Sequence, residues 1–274
     1  MSKIVACNND ITDIKYSGFT ISKVYACGGE LVYEYTRPTP EVALARYSTP
    51  SSGGWLEIGD DNSDSALTKN EVAKWVTNDE YNNMDALFFY SNCSSVGASA
   101  FTNCAMSSIN SWGSITTIGD YAFKSCTNLS SVYICCLVET VGNYAFSGCT
   151  GLSSVILAAS DIGDCAFLNC KNLINLTLDK TVNIGDEVFE YCNITYPITI
   201  PNTISTIGEY AFSGNRNLTK IEFKGTTPPT IASTSFDDTN NCPIVIPTGA
   251  SKTQWRQGSG WWKYVNRLKY PYEV

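Results

Sequence analysis

Histidine is absent from all 274 residues. That absence removes the commonest general base, the Ser-His and Cys-His nucleophile pairs, and the commonest metal ligand. A basic excess is missing as well: 18 Lys and Arg stand against 26 Asp and Glu, a net charge of −8 with a pI near 4.6. Nucleic acid favours a basic face, so no such partner is expected. An acidic balance serves solubility instead. Long apolar runs are lacking too. No stretch approaches the ~18 residues of a membrane span, so no membrane insertion is expected. A signal peptide needs an apolar run of ~7–15 residues near the start. Here only Ile4, Val5 and Ala6 precede polar residues, and the expectation is a chain outside the general secretory route. Charged residues make up just 16%, but hydrophobic ones reach 43%. That is enough apolar material for a core, and it argues against wholesale disorder.

What is present is repetition. Ile118-Gly119 precedes Tyr121-Ala122-Phe123, then Cys126, Leu129, Val132 and Ile134. The order returns from Val141-Gly142 to Leu157, from Ile162-Gly163 to Leu178, from Ile184-Gly185 to Ile200, and from Ile207-Gly208 to Phe223. A degenerate copy comes earlier at Val96-Gly97, Phe101 and Cys104, and another later at Ile231, Phe236, Ile244 and Ile246. The repeat phenylalanines lie at 101, 123, 146, 167, 189, 212 and 236, spaced 21 to 24 residues apart. A period near 22 falls within the ~20–29 residues of leucine-rich repeats. The expected fold is therefore a leucine-rich-repeat solenoid. Parallel strands form one face, and short helical or 3₁₀ turns the other.

Each copy has a physical reading. Leu-x-x-Val/Ile-x-Ile/Leu sends alternate residues inward, which is strand periodicity. The glycines mark the turn that leaves each strand. Asp120, Asn143, Asp164, Asp186 and Glu209 then suit the start of a short helical turn. One coil cannot bury its own apolar face, so stability comes from its neighbours.

The pattern resembles the BspA-like leucine-rich repeat family, whose unit reads IG-x-x-AF-x-x-C-x-x-L-x-x-I-x-L-P. The resemblance covers about residues 92 to 274. It implies a binding or adhesive module, with no enzyme activity and no cofactor or metal. The proline-rich strands around Pro228-Pro229 and Pro243 to Pro247 match the family's closing segment. Trp255, Trp261, Trp262, Tyr264 and Leu268 are then expected to cover the last coil.

Twelve cysteines invite thoughts of disulfides or metal. Cys104, Cys126, Cys149, Cys170 and Cys192 each follow a repeat phenylalanine by three residues, so they form one inner column. Asn215 takes that place in the next copy, which suits a small hydrogen-bonding residue and not a disulfide. Zinc wants C-x₂₋₄-C pairs, whereas Cys135 and Cys136 are adjacent. Cys7, Cys27, Cys93, Cys165 and Cys242 have no evident partners. Reduced thiols in a reducing cytoplasm fit best.

The N-terminal third differs. Residues 1–37 read as short strands with turns at Gly18 and Gly28-Gly29, a small β module too short for its own core. Residues 38–66 read as a linker, into which Trp55, Leu56 and Ile58 bring docking side chains. Over 67–91, Thr68-x-x-Glu71 is a capping box that opens a helix closing the solenoid. Residues 92–247 hold the repeats, and 248–274 an aromatic cap. The stretch Ile21-x-Lys23-Val24-Tyr25 to Leu31-Val32 resembles an opening motif of tail and fibre proteins from tailed phages of gut bacteria. That resemblance implies a virion component assembled in the host cytoplasm, with 1–37 contacting other virion proteins. The rival location is the bacterial cell surface, as an adhesin. An exposed β module also fits homo-oligomers.

Repeat solenoids bind through an exposed sheet face. The outward positions are Ser131, Tyr133, Ser154, Ile156, Asn175, Thr177, Thr199, Lys220 and Glu222. They suit contact with a protein or a cell-surface glycan, against the plainer reading of solvated strand residues. The acidic row Asp120, Asp164, Asp186 and Glu209 offers oxygen ligands for calcium, but one acid per coil is the simpler account. Paired carboxylates raise a polysaccharide-active enzyme, yet nothing singles out two members of the row. Trp261-Trp262 is a carbohydrate-stacking candidate or, more simply, part of the cap.

Overall fold

In the computed structural model, the described residues are 14–16, 19–27, 30–35, 43–48, 55–59, 65–76, 78–111, 114–134 and 138–274. The repeats wind into a β-solenoid with strands on two sides of every coil. The first side is a parallel sheet of eight two-residue strands, from Ala66–Leu67 and Ser95–Val96 through Thr117–Ile118 to Thr230–Ile231. The second carries the longer strands: Ser131–Ile134, Ser154–Leu157 and Asn175–Leu178 form one parallel sheet. Ile198–Ile200, Ile221–Phe223, Ile244–Val245 and Leu268–Lys269 form the next. Alternation explains the longer strands, because Val132 and Ile134 are buried while Ser131 and Tyr133 are exposed.

The arcs between the sides are 3₁₀-type turns. Ala122, Lys124 and Cys126 donate their N–H groups to Gly119, Tyr121 and Phe123, three residues back. Tyr121, Phe123 and Ser125 donate instead to the next coil, at Asn143, Ala145 and Ser147. Two residues in each arc from Ser99 to Gly214 take positive φ, for instance Tyr144 at 56° and Gly148 at 71°. A right-handed helix cannot run through such residues, which holds each arc to a turn.

Inside, the repeat phenylalanines stack in one continuous column. Neighbouring rings from Phe101 to Phe236 have centroids 5.1–5.6 Å apart. At the C-terminal end Phe236 meets Trp261 in a tilted and Tyr264 in an edge-to-face contact, and Trp255 packs edge-to-face on Trp261 and Phe223, all of them buried. Trp262 does not join them: it is 68% exposed. Consecutive residues of the 3₁₀ helix Trp261–Arg267 point about 120° apart, so an inward Trp261 turns Trp262 outward.

The stretch expected as a linker contains two strands. Ala43–Ser48 pairs antiparallel with Trp55–Gly59 and with Ala86–Phe89, which brings Ala45, Tyr47 and Ile58 into the main core. The helix Lys69–Trp75 opens on the expected capping box, with Thr68 and Glu71 exchanging hydrogen bonds. Its Val72 and the C-cap residue Val76 are buried in the same core. Further towards the N-terminus, Ile14–Tyr16, Phe19–Cys27 and Glu30–Tyr35 form a three-stranded antiparallel sheet. The start of the expected β module, residues 1–13, and its expected turns at Gly18 and Gly28-Gly29 lie outside the described residues.

Candidate binding face

The register brings six of the nine outward residues into two files. Ser131 lies opposite Ser154, and Ser154 opposite Asn175; Tyr133 lies opposite Ile156, and Ile156 opposite Thr177. Strand spacing sets these side chains about 4.8 Å apart. None of the six carries a charge. Tyr133 is 59% and Ile156 38% exposed, side by side. Thr199 and Glu222 belong to the following sheet, where they face each other, and Lys220 directly precedes its strand Ile221–Phe223. There the surface becomes charged: Lys220 Nζ stands 3.1 Å from Glu222, and Lys224 pairs with the same carboxylate. Hydrogen bonds from Lys224 and Lys220 lower the Glu222 pKa.

Two ladders, one buried and one exposed, keep the coils in register. The first is the cysteine column. The thiols of Cys126, Cys149, Cys170 and Cys192 donate to the carbonyls of Phe101, Phe123, Phe146 and Phe167 in the preceding coil, at 3.1–3.3 Å. Asn215 makes the same bond to Phe189 at 2.8 Å and also accepts from the Ile194 N–H. This equivalence explains the Asn in a cysteine position. Among the described residues eight cysteines are free, and all are buried. Burial pushes the Cys104 thiol up to about 12 and holds Cys170 well above the usual range. A hydrogen bond with Cys149, reinforced by burial, raises Cys126. Thiols held protonated in this way are poor nucleophiles.

The second ladder is the acidic row, and here the expected role is corrected. These side chains do not cap helices in their own coils. Asp120 Oδ1 accepts the N–H of Asn143, Asn143 that of Asp164, Asp164 that of Asp186, and Asp186 that of Glu209, at 2.6–2.9 Å. Each acceptor serves the next coil, about 22 residues on. The same closeness accounts for the glycines. A Cβ on Gly163 would stand 2.6 Å from Asn143 Oδ1. These ladder glycines are needed for close approach, not for positive φ. Among the described residues no group of three His, Cys, Asp or Glu side chains is placed to hold a metal.

The turn side carries a feature that the spacing did not announce. Tyr121 and Tyr144 stack in parallel with centroids 5.1 Å apart, and Lys124 lies over both rings. Tyr121, Tyr191 and Tyr210 are exposed and Tyr144 is half-buried, and all four tyrosines take positive φ. Tyr121, Tyr144 and Tyr210 each directly follow a member of the acidic row or its Asn143, which was the available signal, whereas Tyr191 follows Glu190. The Trp261-Trp262 stacking pair does not form, because Trp261 is buried with its Nε1 donating to Pro229. No helix among the described residues is long and apolar enough to cross a membrane.

Comparison with known proteins places this geometry. No curated protein matches the chain. Solved structures are similar at low identity, three of them as follows. A leucine rich repeat protein of T. pallidum is 20% identical over 62% of this chain and 81% of its own, with a TM-score of 0.46. A leucine-rich repeat protein from Bacteroides ovatus is 18% identical over 75% and 72%, with a TM-score of 0.36. A leucine rich cell surface protein from Faecalibacterium prausnitzii is 14% identical over 96% of each chain, with a TM-score of 0.30. The BspA type leucine rich repeat region matches in six copies, over residues 79–174 and 182–255, more than half of the chain. With its phenylalanine spine and repeated coils, the chain belongs to the BspA type leucine-rich repeat family.

Proposed function

We propose that this chain is a non-enzymatic binding module. It presents the outward face of Ser131–Ile134, Ser154–Leu157 and Asn175–Leu178 to a protein or a cell-surface glycan. One observation carries the reading: six uncharged side chains stand in register, with Tyr133 and Ile156 exposed together, in a chain of net charge −8. Exposed aromatic and apolar groups give a partner contact area, and the hydroxyls and the Asn175 amide give it hydrogen bonds. Thr199, Lys220 and Glu222 extend the face at its charged border. The test is a glycan and protein array probed with the wild type and with Tyr133→Ala/Ile156→Ala. Signals that vanish in the variant support the face; signals that persist unchanged sink it.

Location has two readings. Family membership favours a cell-surface adhesin. The motif from Ile21 to Tyr33 favours a virion component, with residues 1–37 as the attachment module. Among the described residues the outer strands Ile14–Tyr16 and Glu30–Tyr35 leave edges that suit another virion protein or a further copy of this chain. Eight buried free thiols suit assembly in a reducing compartment. In either location we propose the same division: 67–91 and 248–274 as caps, 92–247 as the repeats between them. Mass spectrometry of purified phage particles beside the cell-envelope fraction separates the two. A fixed copy ratio in particles establishes the virion role, and presence on cells alone establishes the adhesin.

A further inference from the structure

The long-strand wall of the solenoid is split. One parallel sheet ends at Asn175–Leu178 and the next begins at Ile198–Ile200, with no ladder between them. The rest of each coil runs on without interruption. On the short-strand side Asp161–Ile162, Asn183–Ile184 and Thr206–Ile207 pair in sequence. In the arcs Cys165, Phe167 and Asn169 donate their N–H groups to Asp186, Val188 and Glu190 of the next coil, at 2.8–3.0 Å.

Residue types account for the split. In a parallel ladder, alternate N–H groups of a strand reach the same neighbour. Asn175 donates to Ser153 and Asp179 to Leu157, each in the preceding coil. Pro197 and Pro201 stand at the same two places one coil later, and proline has no N–H. The loop that leads into Ile198 is also tied forward. Asn215 Oδ1 accepts the Ile194 N–H at 3.1 Å, Asn217 Nδ2 donates to Asn193 Oδ1 at 2.8 Å, and Thr219 Oγ1 donates to Thr195 O at 3.3 Å. Among the described residues its backbone bond to the coil before is a single one, from Thr195 N–H to Ile174 O at 3.3 Å. Prolines alone do not open a wall. Pro243 and Pro247 flank the last coil's strand in the same way, yet Ile244–Val245 pairs with Ile221–Phe223. There the Ile221 N–H reaches Pro243 O at 3.0 Å, whereas the matching bond from Leu176 to Pro197 is not made. Two further features mark the gap. Leu176 and Leu178 are 7% and 6% exposed, against 0% for Val155, Leu157, Ile198 and Ile200. The stacked rings lie within 4–10° of parallel from Phe101 to Phe167, but 15–22° off from Phe167 to Phe236.

We infer that this split is a hinge. The long-strand wall opens between Asn175–Leu178 and Ile198–Ile200, while the short-strand sheet and the arcs stay closed. The coils on either side rock about that closed side, as two packed bodies do about a few yielding residues. The hinge crosses the proposed binding face between Thr177 and Thr199, and it stands whether or not that face binds. It lets the face change curvature, an adjustment that a continuous wall of backbone bonds resists.

The test is amide hydrogen exchange and methyl relaxation dispersion by NMR on the full chain. The Leu176 and Leu178 amides should exchange about tenfold or more faster than those of Val155 and Leu157, their counterparts one coil earlier. The Phe167 and Asn169 amides, whose bonds cross the closed side, should stay as protected as that of Phe146. The Leu176 and Ile198 methyls should show microsecond-to-millisecond exchange that the Val155 and Leu157 methyls lack. Pro197→Asn/Pro201→Asp installs the residues of the preceding coil, supplies two donors and should slow the Leu176 and Leu178 amides by about tenfold. If that pair does not fold, Pro201→Asp alone should slow them in part. Equal protection of the four strand amides overturns the hinge, because the wall would be closed. Fast exchange without methyl dispersion overturns it too, because the gap would be fixed. Loss of protection at Phe167 and Asn169 overturns it as well, because whole coils would then part. Wild-type exchange in the folded variant overturns the assignment to missing donors.

Discussion

Each coil has an inner column and an outer file, and the two behave differently from coil to coil. Inward, the same residue returns: phenylalanine at 101, 123, 146, 167, 189, 212 and 236, with cysteine or asparagine three residues later in most coils. Outward, the file runs Tyr133, Ile156, Thr177, Thr199 and Glu222, with no residue type held throughout. Stacked coils place like beside like. An inner residue that bonds to the previous coil must present a matching group to the next, so the interior repeats. An outer residue has no such obligation, and variation there is free to serve a partner. The inner columns therefore carry stability and the outer file carries specificity.

The largest expected effect comes from breaking the spine. Phe167 is fully buried between Phe146 and Phe189 at 5.1 and 5.5 Å. Phe167→Ala should cost about 3–5 kcal/mol in chemical denaturation, by lost transfer energy and a central cavity. A cost below 1 kcal/mol would remove the spine from the account. Next comes close approach of the coils. Gly163→Ala puts a Cβ 2.6 Å from Asn143 Oδ1 and 2.9 Å from its backbone N, so the cost should be about 1–3 kcal/mol. If glycine served only the turn, alanine there would be nearly neutral, since its φ is not positive.

These two predictions also mark what could be read in advance. The 22-residue period exposed the phenylalanine spine and the cysteine column, because each depends on one residue type returning at a fixed offset, and strand alternation within each copy located the outward file. The strands on the other side of the coil escaped notice: Thr117–Ile118 and its counterparts are two residues long, too short to alternate. The acidic ladder was misassigned because its acceptors and donors lie in different coils, and local sequence offers a helix cap as the nearer account. Ala43–Ser48 was hidden by its neighbours. Pro38, Pro40 and Pro50 flank it and read as linker, while its pairing partner Ala86–Phe89 lies about 40 residues on. Within the candidate face, alternation placed the side chains outward. It did not show that the first three strands form one sheet and that Thr199 and Glu222 belong to another.

Smaller effects sharpen the contrast. Cys149→Ser keeps a donor near Phe123 O but shortens the reach and leaves space in a packed column, so about 1–2 kcal/mol should be lost. Reductant should shift neither the wild-type nor the variant melting temperature. A wild-type melting temperature that falls with reductant would mean that disulfides contribute. Asp164→Ala removes one acceptor at an exposed position, where the Asp186 N–H can turn to water, and should cost about 0.5–1.5 kcal/mol. Asp164→Asn keeps the acceptor and should restore most of that loss.

The smallest effect on stability should come from the outer file. Tyr133 is 59% exposed, and its neighbours across the sheet make no demand on its identity. Tyr133→Ala should change the unfolding free energy by less than about 0.5 kcal/mol. Its binding to any partner of the sheet face should nevertheless fall, by tenfold or more if the ring is an anchor of the contact. A variant that lost binding together with several kcal/mol of stability would erase the division of labour between interior and face. Unchanged stability with lost binding would locate specificity in the residues that the repeat leaves free.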